Sequence, residues 1–248
     1  MAGHSKWANT KHRKARADAQ KGKIFTKLAR EITVAAREGG DDLDANFTLR
    51  LAVQKARDNN MPNENIQRSI QRGTGNQEGS SYEQAYYEGY AVDGVAVLLE
   101  VMTDNRNRTV AEIRHIFSRY NGSLGESGCV AWMFDNMGVL SFEKELYSDE
   151  DLLEAGLDAG VEDIEDDGEV WQVMCAPENF VSVKNVYDQA GIKYVEAQVT
   201  MVPKNTVEVD VETGRRLLKL YEAIDDHEDV QNVYSNFDLP EELLKELE

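Results

Sequence analysis

The feature that most constrains the fold is a change of pattern close to residue 75. Before this point apolar residues recur every three or four positions, as they do in amphipathic helices. After it, short runs rich in β-branched and aromatic residues alternate with helical segments. The stretch between them, residues 73–81 (GTGNQEGSS), has the Gly and Ser content typical of a linker. The sequence therefore predicts a helical domain followed by a part that contains sheets.

The first part is expected to hold three helices. The first follows Gly22, with an apolar face that includes Leu28 and Ile32, and the glycine pair at 39–40 ends it. A second helix is predicted over residues 44–58 and a third over 63–72, with Gly73 as its C-terminal cap.

The sequence of the second part predicts two α+β units. Strands at 86–92 and 94–102 flank an Asp-Gly turn, and Asn107 is the expected N-cap of a helix from about residue 108. The predicted order β-β-α-β, then β-α-β-α-β, then α-β is typical of two α+β layers. Because neither flank holds enough elements alone, we expect an insertion: a helical domain with a basic arm at 1–77, an α+β domain at 78–135 plus 203–248, and an inserted acidic α+β domain at 136–202.

The distribution of charged residues also changes close to residue 75. Residues 1–75 hold 15 Lys and Arg against 8 Asp and Glu, a net charge of +7, whereas the remaining 173 residues hold 12 against 38, a net charge of −26. The whole-chain charge of −19 hides this basic part. An asymmetry of this kind favours a nucleic-acid partner for the basic part.

The basic residues concentrate in an arm over residues 9–23 (NTKHRKARADAQKGK), whose only apolar side chains are alanines. Such a segment gains little by packing on its own protein. It is either a solvated arm or one that a polyanion orders, with a strong salt dependence because each neutralised phosphate releases counterions.

The acidic part has its own concentration of charge at residues 143–169, which hold 13 acids and one base, Lys144. We interpret this segment first as a solvated, exposed face and an acidic loop. The alternatives are that it repels nucleic acid, meets a basic protein partner, or folds back on the basic arm.

No motif in the chain indicates catalysis. A phosphate-binding Gly-x-x-x-x-Gly-Lys loop, a Gly-x-Ser-x-Gly elbow and a His-Glu-x-x-His pair are all missing from the sequence. Cys129 and Cys175 are isolated, which indicates reduced thiols and no zinc site. We therefore expect no enzyme, no cofactor and no metal. We also expect a cytoplasmic protein without a membrane partner, because no signal peptide or long apolar run is evident.

Four long segments of this sequence resemble the YebC/PmpR family. They are residues 1–40 (MAGHSKWANTKHRKARADAQKGKIFTKLAREITVAAREGG), MPNENIQRSIQRGTG, TDNRNRTVAEIRH and GSLGESGCVAWMF. The resemblance covers essentially the whole chain and implies a helical N-terminal domain and two α+β domains, one inserted in the other. It also implies DNA-binding transcriptional regulation without enzymatic activity or cofactor, although relatives, including mitochondrial ones, are linked to translation and ribosomes.

The candidate nucleic-acid contacts are the basic residues of the arm and first helix, together with one tryptophan. They are Lys6, Trp7, Lys11, Arg13, Lys14, Lys21, Lys23, Lys27 and Arg30. Trp7 either stacks on an exposed base or packs against the first helix. Arg72, Arg106 and Arg108 are candidates for secondary phosphate contacts, against the simpler interpretation that their loops only cap and end helices.

Two targets remain open at this point. A DNA-binding regulator places a helix in the major groove, yet no helix-turn-helix is evident in the sequence. A ribosome-associated translation factor would use the arm on ribosomal RNA through shape and phosphate contacts, which suits a poorly anchored basic arm.

Overall fold

The computed structural model describes residues 17–75 and 82–247, with side chains at 22–75 and 82–246. Among the helices of these residues, none combines the length and the apolar composition that a membrane span requires.

The first domain packs three helices, α1 (Ala17–Gly39), α2 (Phe47–Asp58) and α3 (Asn63–Thr74). Its core holds the apolar face predicted for α1, including Leu28 and Ile32, against residues of α2 and α3 such as Leu49 and Ile66. Gly40 has a φ of 82°, so the glycine pair ends α1 as expected. Asn46 starts α2, where its side chain accepts a hydrogen bond of 3.0 Å from the Leu49 N–H.

The predicted role of Gly73 is wrong. Gly73 is a buried residue inside α3, and the helix continues to Thr74. A Cβ atom on Gly73 would lie 2.4 Å from the Thr33 carbonyl oxygen and 2.7 Å from the Ala36 Cβ. The glycine is needed because α1 and α3 approach each other closely at this point.

The second domain is a four-stranded antiparallel sheet with the strand order β3-β1-β2-β9. Its elements are β1 (Glu83–Tyr90), β2 (Ala96–Thr103), α4 (Arg106–Arg119) and β3 (Ser123–Leu124), which precede the insertion, and α7 (Val211–Asp225) and β9 (Val230–Ser235), which follow it. Helices α4 and α7 cover one face, where Ile113, Phe117, Leu217 and Ile224 are buried in a common core.

The start of α4 also differs from the prediction. Asn105, and not Asn107, is its N-cap, and the Asn105 side chain accepts a hydrogen bond of 3.1 Å from the Arg108 N–H. The helix begins two residues earlier than expected, so Arg106 and Arg108 both lie in its first turn.

The third domain has a second four-stranded sheet, in the order β5-β6-β4-β7. It is built from β4 (Phe134–Glu143), α5 (Asp149–Gly156), β5 (Val161–Asp167), β6 (Val170–Cys175), α6 (Phe180–Ala190) and β7 (Glu196–Pro203). The prediction of an acidic loop was wrong at β5, which is an edge strand whose register with β6 places Ile164 opposite Val173. The acidic residues of 161–167 made this strand look like a loop, because an edge strand can carry charged side chains on its solvent-facing side.

The third domain lies between β3 and β9 in the chain, although both of these strands belong to the sheet of the second domain. The predicted fold class, a helical domain followed by two α+β domains with one inserted in the other, is confirmed. The boundaries at 77/78, 135/136 and 202/203 stay a prediction. A short parallel pair, β8 (Val207–Glu208) with β10 (Phe237–Asp238), and helix α8 (Glu241–Leu247) complete the described chain.

Candidate nucleic-acid interface

Most of the predicted arm contacts lie outside the described residues. These are Lys6, Trp7, Lys11, Arg13 and Lys14, and the Lys21 side chain is likewise outside them. Of the nine candidates, Lys23, Lys27 and Arg30 remain, and the structure places all three in α1.

These three residues face one short acidic segment of the second domain. Spacings of four and three residues place their side chains on the same side of the helix. The segment opposite is residues 225–229 (DDHED), the last residue of α7 and the turn that leads to β9, which we call the acidic turn. The basic face of α1 therefore docks on protein carboxylates in this structure.

The outer two pairs are partly open to solvent. The Lys23 Nζ lies 2.8 Å from the Asp226 Oδ1, and the two side chains are 60% and 74% exposed. The Lys27 Nζ lies 3.3 Å from the Asp225 Oδ1 and 3.0 Å from the Asp225 carbonyl oxygen. The Lys23 pKa is raised, first by its hydrogen bond to Asp226 and then by the charge of that carboxylate.

The third pair is the least exposed of the three, and its acid is buried. The Arg30 Nη1 lies 3.3 Å from the Asp229 Oδ1 and also donates to the Glu228 carbonyl oxygen. The exposed fraction is 13% for the Arg30 side chain and 4% for that of Asp229. The Arg30 guanidinium also lies 5.0 Å from the centre of the Tyr82 ring, a cation–π contact.

Asp229 joins the first domain to a second set of predicted residues. Its Oδ2 accepts hydrogen bonds from the Thr109 hydroxyl at 2.7 Å, the Arg108 Nη2 at 2.8 Å and the Thr103 hydroxyl at 3.2 Å. Burial alone would raise the Asp229 pKa, but the hydrogen bonds from Thr109 and Arg108 and the Arg108 charge together lower it. Asp229 is therefore an anion at neutral pH, held between two arginines.

Two of the candidates for secondary phosphate contacts, Arg106 and Arg72, are not brought to this cluster. The Arg106 Nε pairs with Glu83 at 2.8 Å, and Arg108 also pairs with Asp104 at 3.0 Å. Arg72 is exposed near the end of α3 and forms no ion pair with the side chains of residues 22–75 and 82–246. The structure thus unites Arg30 with Arg108 through Asp229 and leaves Arg72 apart.

Sequence reasoning missed the acidic turn because it is short and stands in a part of the chain that is acidic throughout. Its shape is fixed by His227, whose Nδ1 accepts from the Asp229 N–H at 3.1 Å while its Nε2 lies 2.8 Å from the Glu112 Oε2. Lys23, Lys27 and Arg30 pair with Asp226, Asp225 and Asp229, so the order of the acids along the chain does not follow that of the bases, and no local pattern predicts the pairing.

A second feature that the sequence did not single out is an exposed aromatic pair. Trp132, 65% exposed, and Tyr90 both donate hydrogen bonds to the Cys129 carbonyl oxygen, at 3.1 and 2.9 Å. The loop that carries Trp132 is held by Glu88, whose carboxylate accepts from the N–H groups of Gly128, Val130 and Ala131 at 2.6 to 2.7 Å. Burial would raise the Glu88 pKa, yet these three hydrogen bonds together lower it.

Nothing in the described chain resembles a metal site, since no group of three or more His, Cys, Asp or Glu side chains is arranged to hold an ion in the part that the structure describes. Taken together, fold and site define a three-domain α+β protein whose basic N-terminal helix is docked on an acidic turn of its second domain.

Comparison with known proteins places this architecture in a family. Residues 5–76 match the family model described as the TACO1/YebC protein N-terminal domain, and residues 82–237 match the TACO1/YebC second and third domain. The chain belongs to the TACO1/YebC family.

The chain is similar over its whole length to curated relatives. It is 52% identical over 248 residues to a protein of Dictyoglomus thermophilum, covering 100% of both chains. It is 53% identical over 251 residues to one of Halothermothrix orenii, covering 100% of this chain and 99% of the relative. Both are named "Probable transcriptional regulatory protein".

A solved structure supports the fold. The crystal structure of a conserved hypothetical protein from Aquifex aeolicus is 43% identical and has a TM-score of 0.80, with 92% of this chain and 94% of that chain covered. The names of the relatives support a regulatory role for the family.

Proposed function

We propose that this protein is a nucleic-acid-binding regulator that works in the cytoplasm as a DNA-binding transcriptional regulator and has no enzymatic activity. The observation that carries the proposal is the net charge of +7 on residues 1–75 beside −26 on the rest. A polyanion is attracted to the first domain and repelled by the other two, which orients the protein on its target. The relatives named as transcriptional regulators support DNA as the target.

The proposed contacts are phosphate contacts from the arm and α1. Lys11, Arg13 and Lys14 supply charge in the arm, and Lys23, Lys27 and Arg30 continue it along one face of the helix. Contacts of this kind fix position on a nucleic acid without reading its sequence.

The second candidate is a translation factor that binds ribosomal RNA through the same arm. The aromatic pair favours it, because Trp132 and Tyr90 are exposed side chains held in fixed positions by hydrogen bonds to one carbonyl. Rigid exposed rings suit stacking on unpaired bases, which folded RNA offers and duplex DNA does not.

Ultraviolet crosslinking in growing cells, followed by sequencing of both DNA and RNA recovered with the protein, separates the two candidates. The test variant is K11E/R13E/K14E, which should lose the bound nucleic acid. The matched control is R114E/K193E/K219E, which makes the same change of charge at exposed positions of the second and third domains.

Promoter DNA that is lost in the arm variant and kept in the control supports the transcriptional regulator. Ribosomal RNA with the same response supports the translation factor. Recovery of neither, or equal loss in both variants, refutes the proposed function.

A further inference from the structure

The acidic turn presents to α1 the same chemistry as a nucleic-acid backbone. Asp226, Asp225 and Asp229 place anionic oxygens 2.8 to 3.3 Å from the cationic nitrogens of Lys23, Lys27 and Arg30. A row of phosphates would make charge-assisted hydrogen bonds to the same three groups at similar lengths. One face cannot hold both sets of anions at once.

We propose that the Lys23–Lys27–Arg30 face of α1 is a phosphate-binding site that the acidic turn occupies in the free protein. Nucleic-acid backbone and acidic turn compete for it, and binding there separates the first domain from the second. This inference rests on the proposed function and adds to it a site and a conformational change.

The pairs are graded in a way that sets the order of exchange. Along α1, the basic partner is 60% exposed at Lys23, 22% at Lys27 and 13% at Arg30. Exposed ion pairs contribute little because water competes for both charges, so the Lys23 end is the weakest point of the contact. Lys23 is also the last residue of the basic arm at residues 9–23. A nucleic acid already held by the arm therefore reaches Lys23 first, at a high effective concentration, and advances towards Arg30.

Three further contacts of the first domain with the other two domains lie away from the basic face of α1, and two of them are polar. Arg37 donates to the Tyr82 carbonyl oxygen, the Lys55 ammonium lies close enough to Glu100 for its pKa to respond to that charge, and Leu51 packs at the margin of the third-domain core. Small polar contacts between domains allow relative motion, whereas a large apolar interface would prevent it.

The first test compares affinities for a short mixed-sequence DNA duplex and a single-stranded RNA of the same sequence. The variant D225N/D226N removes the two outer competitors, and it should fold because both side chains are partly exposed and lie at the C-terminal end of α7, where negative charge is unfavourable. The matched control E150Q/E154Q removes the same charge from exposed positions of α5 that have no described ion pair.

We expect D225N/D226N to bind about 3- to 10-fold more tightly than the unmodified protein, as the loss of two competing surface pairs implies, and E150Q/E154Q to stay within about twofold. Equal tightening in both variants would show that only net charge matters, and no tightening in D225N/D226N would also overturn the competition.

The second test follows the separation of the domains by energy transfer between dyes on Gln67→Cys in α3 and Ser118→Cys in α4, two exposed positions. Cys129→Ser removes the partly exposed native thiol. Cys175 can stay because it is buried and burial raises its pKa to about 11, so it remains a protonated, unreactive thiol.

Saturating nucleic acid should lower the transfer efficiency, and raising salt from about 50 to 200 mM without nucleic acid should lower it in the same direction by screening the outer pairs. Binding without a change in transfer efficiency overturns the competition and leaves the proposed function standing. If no variant binds either nucleic acid, the proposed function is wrong, and the salt response alone then reports whether the contact opens.

Discussion

Replacing Glu88 with Gln is the most informative test of how the aromatic pair is held. Glu88 lies in β1, and its two carboxylate oxygens accept three backbone N–H groups of the loop that carries Trp132. Gln has the same shape but only one acceptor oxygen. With that oxygen directed at Val130 and Ala131, the amide group of Gln faces the Gly128 N–H, donor against donor.

The expected cost can be worked out bond by bond. Two hydrogen bonds change from charged to neutral acceptors, which weakens them by about 1 kcal/mol each, and the Gly128 bond is lost at about 1 kcal/mol because that N–H can partly reach water. Relief of the desolvation of the carboxylate returns about 1 kcal/mol. The net loss of stability in the second domain is therefore about 2 kcal/mol.

The assay is urea unfolding followed by Trp132 fluorescence in a Trp7→Phe/Trp171→Phe background, so that the signal comes from this loop alone. The control is Glu126→Gln in the same loop, an exposed side chain with no described partner, which should cost less than about 0.5 kcal/mol. Because the Glu88 pKa is lowered in the folded protein, the Glu88 carboxylate stabilises the fold fully above the ordinary glutamate pKa of 4.5. This stabilisation is lost as the pH falls through the pKa that Glu88 has in the folded protein. The gap between the two proteins should thus narrow in acid, and an E88Q protein as stable as the E126Q control at pH 7 would refute the reasoning.

Three further outcomes are expected. Asp229→Asn should destabilise the second domain by about 3 kcal/mol in urea unfolding, since it removes the buried partner of two arginines, whereas Asp104→Asn, which breaks only a surface pair, should cost less than about 1 kcal/mol. Because the Asp229 pKa is lowered, its carboxylate stabilises the folded protein above the ordinary aspartate pKa of 3.8, and this stabilisation is lost as the pH falls below that value. A difference in the free energy of unfolding between D229N and the unmodified protein that grows in acid would contradict this expectation. Gly73→Ala should lower the stability of the first domain in thermal unfolding by about 1–3 kcal/mol, because the added Cβ meets the Thr33 carbonyl oxygen. The control Gly22→Ala, which has open space around the added Cβ, should be neutral or stabilise the helix by up to about 1 kcal/mol. Equal effects of the two substitutions would refute the packing argument.

The sequence predicted the helices of the first domain and the insertion because both depend on local patterns. Leu28 and Ile32 recur at helical spacing and are buried together, as expected. Gly73 misled the prediction because a glycine near the end of a helical pattern is more often a cap, and only the approach of α1 reveals its packing role. The strand over 161–167 was missed because charge on the open side of an edge strand imitates a loop.

The candidate site was predictable only in half. Basic residues are conspicuous in an acidic chain, so Lys23, Lys27 and Arg30 could be predicted from composition and spacing. Their partners could not, because Asp225, Asp226 and Asp229 lie about 200 positions away and look like any other acids of that region. Long-range pairing of this kind is set by topology, which no local pattern contains.

The placement of the third domain inside the second also sets the order in which the chain can fold during its synthesis. Strand β2 must wait for β9, since Val97 pairs with Ser235, and the whole inserted domain is made between them. The third domain has all of its strands in one continuous stretch, and the pairing of Phe134 with Pro203 brings its two ends together. A nascent chain can therefore complete its third domain before its second. This closure brings the two halves of the second domain close to each other, which lowers the entropic cost of pairing β2 with β9.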